Sequence, residues 1–350
     1  MRGCRTFPLP PSKRSADFGG LAAVWRQRGL LAWLLFPVSL LFQALAAARR
    51  GLYQLGVLRR ERLPVQVVIV GNLSVGGTGK TPLVIYLAQA LRGAGRRPGI
   101  LSRGYRGAAS DIVEVDVCSD PAKVGDEPLL LAQRSGCPVF VGRDRSAAAR
   151  ALLSAHPDCD LLLSDDGLQH YRLARAFEIA VFDERGVMNG WCLPAGPLRE
   201  PVSRLQGVDA VVLNGRAVSP ELASGRRLFA MQLQGNVFHR LDDPRIECGP
   251  ADLAEGALHA VAGIGAPQRF FDQLRGLGMD FIEHAFADHH DFCAEDLAFT
   301  RGSILTTEKD AVKLARLSLS LPVWVLPVTA EVSPDLAAFV LEKLDGRPPA

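Results

Sequence analysis

The chain has 350 residues, of which 48% are hydrophobic and 22% charged, with 34 Gly and 23 Pro. That profile excludes a disulfide-stapled peptide, a collagen-like fibre and a disordered tail, and the length allows roughly two domains. The net charge of +3 hides an asymmetry: residues 1–62 hold 11 Lys+Arg against 2 Asp+Glu, which leaves the other 288 residues with a net of −6.

A basic leader ahead of a mildly acidic body predicts a soluble body held against an anionic surface. No aromatic-interleaved basic stripe follows, so no nucleic-acid partner is expected, and nothing in the chain calls for an obligate protein partner. The seven cysteines are scattered singly, without a CxxC pair or a zinc-type spacing, and read as thiols in a reducing compartment. The first element is an uncharged run of 19 residues from Leu30 to Ala48, flanked by Arg26 and Arg28 before it and Arg49 and Arg50 after it. It sits at the length needed to span a bilayer, but Pro37, Ser39 and Gln43 weaken a span, and arginines at both ends give no orientation bias. A helix lying in the membrane interface fits those anchors; a true span and a buried core helix are the competing readings. A signal peptide is disfavoured by the long basic region ahead of the run.

Gln66 to Val70 (QVVIV) has the apolar, β-branched character of a buried parallel strand. It runs into Gly71-Asn72-Leu73-Ser74-Val75-Gly76-Gly77-Thr78-Gly79-Lys80-Thr81, and a helical pattern follows. Strand, glycine loop and helix are the context of a P-loop, in which backbone N–H groups wrap a phosphate, Lys80 reaches the β- and γ-phosphates and the Thr81 hydroxyl ligates Mg²⁺. The general pattern has glycine where this chain has Ser74. Such a loop needs an acidic partner on a neighbouring strand to hold the metal, and the apolar run ending in Ser164-Asp165-Asp166-Gly167 supplies one. In Thr307-Glu308-Lys309-Asp310 the Asp follows its Lys directly, so the K-x-D of a guanine reader is absent. Val75 stands where partitioning ATPases carry a second lysine. A phosphotransferase using ATP remains, with a membrane-associated P-loop ATPase acting as a switch as the alternative and a soluble small-molecule kinase as a weaker third reading.

Several motifs in order carry a family resemblance. They are GNLSVGGTGKTP, Leu101-Ser102-Arg103-Gly104-Tyr105, Val124-Gly125-Asp126-Glu127-Pro128, Ser164-Asp165-Asp166-Gly167-Leu168-Gln169-His170, the stretch from Leu193 to Pro201, Ala287-Asp288-His289-His290 and Thr306-Thr307-Glu308-Lys309-Asp310. Together they resemble the tetraacyldisaccharide 4′-kinase (lipid A 4′-kinase) family over nearly the whole chain from about residue 20, and Ser74 is expected within that family. The resemblance implies transfer of the γ-phosphate of ATP to the 4′-hydroxyl of a tetraacylated glucosamine disaccharide 1-phosphate, giving lipid IVA at the cytoplasmic face of the inner membrane, by a peripheral or monotopic enzyme. It implies Asp126 as the base and His289 as its partner in an Asp-His dyad, with His290 the rival in the doublet. Asp165 and Asp166 are expected to handle Mg²⁺, with Glu200 a further metal contributor and Arg199 a phosphate contact. Ser102, Arg103 and Tyr105 are expected near the sugar or its 1-phosphate, and Lys309 near an anionic headgroup or in a helix capped by Thr306 or Thr307.

The apolar strands that alternate with helical stretches from Val65 to about Gly215 predict an α/β fold, a mostly parallel P-loop-type sheet with helices on both faces. Boundaries are expected at 1–62 for the basic segment with its membrane helix and 63–226 for the kinase domain. Residues 227–241 are expected to form a two-stranded hairpin linker, and 242–350 a smaller α/β domain.

Overall fold

The computed structural model describes residues 19–104, 112–215, 222, 227–253 and 256–346. Its strands form two sheets. The first contains β1 (Gln66–Gly71), β2 (Pro98–Ser102), β3 (Val113–Glu114), β4 (Val139–Val141), β5 (Leu161–Asp165), β6 (Phe177–Asp183), β7 (Ala210–Asn214), β8 (Arg227–Gln234) and, from the far end of the chain, β15 (Thr329–Ser333). Their order is β15-β8-β7-β6-β1-β5-β2-β4-β3, parallel except for the two edge strands β3 and β15. The second sheet contains β9 (Phe238–Arg240), β10 (Glu247–Cys248), β11 (Leu258–Ala262), β12 (Ile282–Ala285), β13 (Ser303–Thr307) and β14 (Val323–Leu326), in the order β10-β9-β14-β13-β11-β12.

Strands buried on both faces read as continuous apolar runs, and alternate residues of β1 serve different cores. Val68 and Val70 face a layer built from α3 (Lys80–Gly93), α5 (Asp126–Ser135), which follows the short α4 (Pro121–Val124), and the C-terminal α9 (Leu336–Asp345). Val67 and Ile69 face α6 (Arg145–Ala155) through Ala148 and Leu152. Over the second sheet, α7 (Pro267–Gly276) inserts Phe270, Phe271 and Leu274 against β11, and α8 (Glu308–Leu314) follows β13.

The expected hairpin over 227–241 is corrected. Strand β8 pairs with β7 and antiparallel with β15, whereas β9 pairs with β14 and β10 of the other sheet. The two-stranded crossing between the units is therefore β8 with β15. Gly235 allows it, because a Cβ there would lie 2.3 Å from the Pro327 carbonyl oxygen of the returning chain. By sheet membership the second unit ends at β14, and β15 and α9 return to the first, with Leu336, Val340 and Leu344 in the same core as Val68.

Two N-terminal helices precede the sheets, α1 (Gly19–Arg26) and α2 (Leu30–Gln54). The second continues past Ala48 through Arg49 and Arg50, and Gly56 at φ +76 follows its end. It lies along the first unit. Ser39 Oγ donates to the Cys192 carbonyl (2.7 Å), Trp33 and Phe36 pack on Trp191, and Tyr53 packs on Tyr171. Leu30, Leu34, Leu41 and Leu45 remain exposed on the helix.

Candidate active site

The loop after β1 stands at the carboxyl end of a central strand, where ligands of open parallel sheets bind. Helix α3 begins at Lys80 with Gly79 as its N-cap, at φ +90 and without a side-chain cap. No other residue fits there, since a Cβ on Gly79 would lie 2.4 Å from Asn214 Nδ2. Donors hold the loop's carbonyls: Asn72 Nδ2 bonds Gly76 O (3.1 Å), Arg185 Nη2 bonds Gly77 O (3.0 Å) and Asn214 Nδ2 bonds Thr78 O (3.2 Å). With its carbonyls engaged and its helix N-terminus uncapped, the loop has the polarity that suits an anion. Val75 N donates to Pro197 O (2.9 Å), so the loop is also tied to the Leu193 to Pro201 stretch.

The β1–β5 register sets Val70 opposite Asp165, which brings the acidic pair to the start of the loop. Asp166, at φ +49, receives two cations: Lys80 Nζ at 3.5 Å, and Arg199 Nη1 at 3.0 Å from both carboxylate oxygens. Burial alone would raise its carboxyl, but Lys80 and Arg199 prevail and hold it down at about 2. Asp165 is 3% exposed, and its burial, with Glu127 and Asp166 adding to it against Lys80, pushes its carboxyl up to about 7. Its Oδ1 is buried and has no hydrogen-bond partner among the described residues. A divalent cation would supply that partner. Among the described residues no group of three or more His, Cys, Asp or Glu is arranged to hold a metal. Magnesium binds through one or two carboxylates and completes its shell with water and phosphate oxygens. Thr81 follows at the second position of α3, half-buried.

Across from the loop, the second unit contributes a histidine. His289 Nδ1 lies 3.1 Å from Asp126 Oδ2, whereas His290 Nε2 lies 2.9 Å from Asp296 Oδ2. Asp126 opens α5 and belongs to the first unit, so the pair joins the two. Burial would raise the Asp126 carboxyl, but the hydrogen bond from His289 and the charges of Lys313 and Lys309 leave it below the ordinary carboxylate value. Lys309 Nζ contacts Glu127 (3.2 Å), Asp288 (3.3 Å) and His289 Nε2 (3.3 Å). A Cβ on Gly265 would lie 3.2 Å from Asp288 Oδ2 and 3.6 Å from the Gly77 nitrogen, so this cluster and the phosphate loop share one cleft.

Residues 31–345 match the sequence model of the family described as LpxK, tetraacyldisaccharide-1-P 4′-kinase. The chain belongs to this kinase family. Relatives named tetraacyldisaccharide 4′-kinase include that of Azoarcus sp. (strain BH72), 53% identical with 93% of this chain and 96% of the relative covered. That of Aromatoleum aromaticum is also 53% identical, over 94% of this chain and 98% of the relative. The crystal structure of LpxK from Aquifex aeolicus in complex with ATP superposes with a TM-score of 0.77 at 31% identity, covering 90% of this chain and all of that one. The mostly parallel sheet with helices on both faces is thus the LpxK fold, and membership sets aside the switch ATPase.

Set against this LpxK framework, the expected site residues separate. Ser74 to Thr81, Asp165, Asp166 and Arg199 surround one another at the end of β1, and Asp126 and His289 meet across the cleft. Glu200 departs from its expected place as a metal contributor. It is 3% exposed and both its oxygens are engaged within the protein, Oε1 by the Tyr171 hydroxyl and Oε2 by Gln169 Nε2 (3.2 Å), with Arg204 3.9 Å away. Arg199 holds Asp166. Ser102 is buried at the end of β2 and Arg103 is exposed, while Tyr105 lies outside the described residues. Thr307 caps α8 by accepting from Asp310 N (3.2 Å), and Lys309 faces the dyad. Arg185, Asn214, Glu127 and Lys313 escaped the sequence reading. A usable signal existed for Asn214 and Arg185, polar residues at or just past the carboxyl ends of β7 and β6, beside the loop strand.

Proposed function

We propose that the chain transfers the γ-phosphate of ATP to the 4′-hydroxyl of a tetraacylated glucosamine disaccharide 1-phosphate held at a membrane surface. The observation that carries this reading is the meeting, in one cleft, of a P-loop with an Asp–His pair whose two members come from different sheets. A switch ATPase needs no such pair; a transferase must receive a hydroxyl proton.

In this reading the amides at the start of α3 and Lys80 bind the β- and γ-phosphates and spread the charge of the transferring group. Thr81 and Asp165, with Asp166 beside them, would hold Mg²⁺, which when bound would neutralise charge on the phosphate oxygens. Arg199, next to Asp166, adds a second positive charge. Asp126 takes the proton of the 4′-hydroxyl as the new phosphorus–oxygen bond forms and the bond between the γ-phosphorus and the β-phosphate oxygen breaks, releasing ADP. Because its carboxyl stays below the usual value it is ionised at neutral pH, and His289 orients it from the opposite side of the cleft.

A substrate with four acyl chains stays in the bilayer, since each buried CH₂ contributes about 0.8 kcal/mol. The enzyme meets it through α2. That helix is 25 residues long, with a mean hydropathy of 2.0 in its most apolar stretch, of which only 11% is buried. Its contacts with the first unit, from Trp33 to Tyr53, support a helix that stays beside the sheet domain. In this reading the helix lies in the interface as a monotopic anchor on the inner membrane's cytoplasmic side, where ATP is supplied. The test is the purified chain incubated with γ-labelled ATP and the acylated disaccharide. Label should enter the glycolipid, and Lys80→Ala should lower that transfer by at least about 100-fold. Full transfer by Lys80→Ala would contradict the assignment.

A further inference from the structure

An ammonium carries three N–H donors and no acceptor. Lys309 Nζ has three polar neighbours, Glu127 Oε1 at 3.2 Å, Asp288 Oδ1 at 3.3 Å and His289 Nε2 at 3.3 Å. Toward a group that only donates, Nε2 of the imidazole must present its lone pair. The ring proton then sits on Nδ1, 3.1 Å from Asp126 Oδ2, and is donated there. Asp288 would favour the opposite tautomer if it accepted from Nε2. Its Oδ1 is 3.8 Å from Nε2, beyond hydrogen-bond reach, and is itself bound by Lys309. The histidine backbone is held for this contact. His289 adopts φ +58, rare for a residue with a side chain, and its N–H donates to Gly263 O (3.0 Å). Among the described residues, charged groups that also face the pair include Lys313, 3.7 Å from Asp126 Oδ2 and bound to Asp310 Oδ1 (3.0 Å), and Glu127.

We infer that Lys309 is a positioning residue for the transfer: it fixes His289 as the Nδ1–H tautomer, so that the imidazole orients Asp126 and Asp126 alone receives the substrate proton. This rests on the reading of Asp126 as the base. A proton on Nε2 would point at the Lys309 ammonium, so the contact disfavours the Nε2–H tautomer. Because Lys309 stands on α8 and Glu127 on α5, the same ammonium ties the two units together, and the tautomer is set when the cleft is assembled. Mere ion pairing would explain the contact to Glu127. It would not explain why the third N–H is spent on the ring nitrogen opposite Asp126.

The test is ¹⁵N NMR of histidine-labelled full-length protein at neutral pH, with the His289 signals identified by their loss in His289→Gln. The wild type should show a protonated Nδ1 and a bare Nε2. Lys309→Met should move His289 toward an Nε2-protonated form, lower kcat about tenfold or more, and change the KM for ATP by less than about twofold. Lys309→Arg, which restores a donor, should recover the wild-type tautomer and most of kcat. An Nε2–H tautomer in the wild type, or an unchanged His289 signal in Lys309→Met, would overturn the inference. Failure of the base assignment reads out separately. An Asp126→Ala protein that kept its kcat would remove Asp126 from the chemistry without altering the wild-type His289 spectrum on which the tautomer stands.

Discussion

Two adjacent carboxylates, Asp165 and Asp166, have the same chemistry and opposite fates. Asp166 is compensated by Lys80 and Arg199 and stays ionised, while Asp165 is buried with an unpartnered oxygen and titrates at about 7. A carboxyl whose folded value is raised costs stability once the unfolded chain ionises. The cost is absent below the ordinary carboxylate range, grows as pH rises, and is complete above about 7. Asp165→Asn in metal-free protein should therefore raise the melting temperature at pH 8 by several degrees, with the gain shrinking toward pH 5, while transfer is lost. No gain at pH 8 would mean that Asp165 is not strained. The motif alone indicated that this pair sits at a strand end, but not which member is compensated, since Arg199 lies 33 residues further on. Glu200 escaped for the same reason: its Tyr171 partner is 29 residues earlier, and nothing in a Pro-rich turn says that a carboxylate points inward. The choice between His289 and His290 is made by long-range geometry, through Asp126 163 residues away.

At the scale of elements, the strand, loop and helix from Gln66 to Gly93 were legible because each carries its own local signal: a β-branched run, glycines and an apolar helical pattern. Local signals do not name a strand's neighbour. Residues 227–234 and 238–240 both read as strands, but their pairing with different sheets depends on β15 and β14, about ninety residues later. Helix α2 was legible as apolar and not as docked, because the Ser39 bond to Cys192 and the packing on Trp191 are tertiary. Each exposed leucine that leaves water for the membrane contributes about 1.5–3 kcal/mol. Replacing Leu34, Leu41 and Leu45 together by Glu should release the protein from anionic vesicles in a flotation assay while leaving α2 docked through Ser39. Transfer to a detergent-dispersed substrate should persist. Unchanged flotation would mean that another surface makes the membrane contact.

For the whole molecule, the chain leaves the first sheet, builds a second one, and returns through β15 and α9, so the two units are joined by the β8–β15 crossing. Side chains also span the cleft. Lys309 reaches Glu127, Arg269 lies 3.4 Å from Asp183, and Arg134 pairs with Glu308. Neither unit alone holds both the phosphate loop and the dyad. The charge asymmetry fits the proposed function, in which the basic leader and its apolar helix would serve the membrane and the mildly acidic body nucleotide and metal. The most direct test is a single-turnover assay with γ-labelled ATP, Mg²⁺ and the acylated disaccharide, comparing wild type with Asp126→Ala. Wild type should place the label in the glycolipid. Asp126→Ala should bind ATP with nearly unchanged affinity and transfer at least about 100-fold more slowly. Label released as inorganic phosphate by the wild type, with none in the lipid, would contradict the assignment.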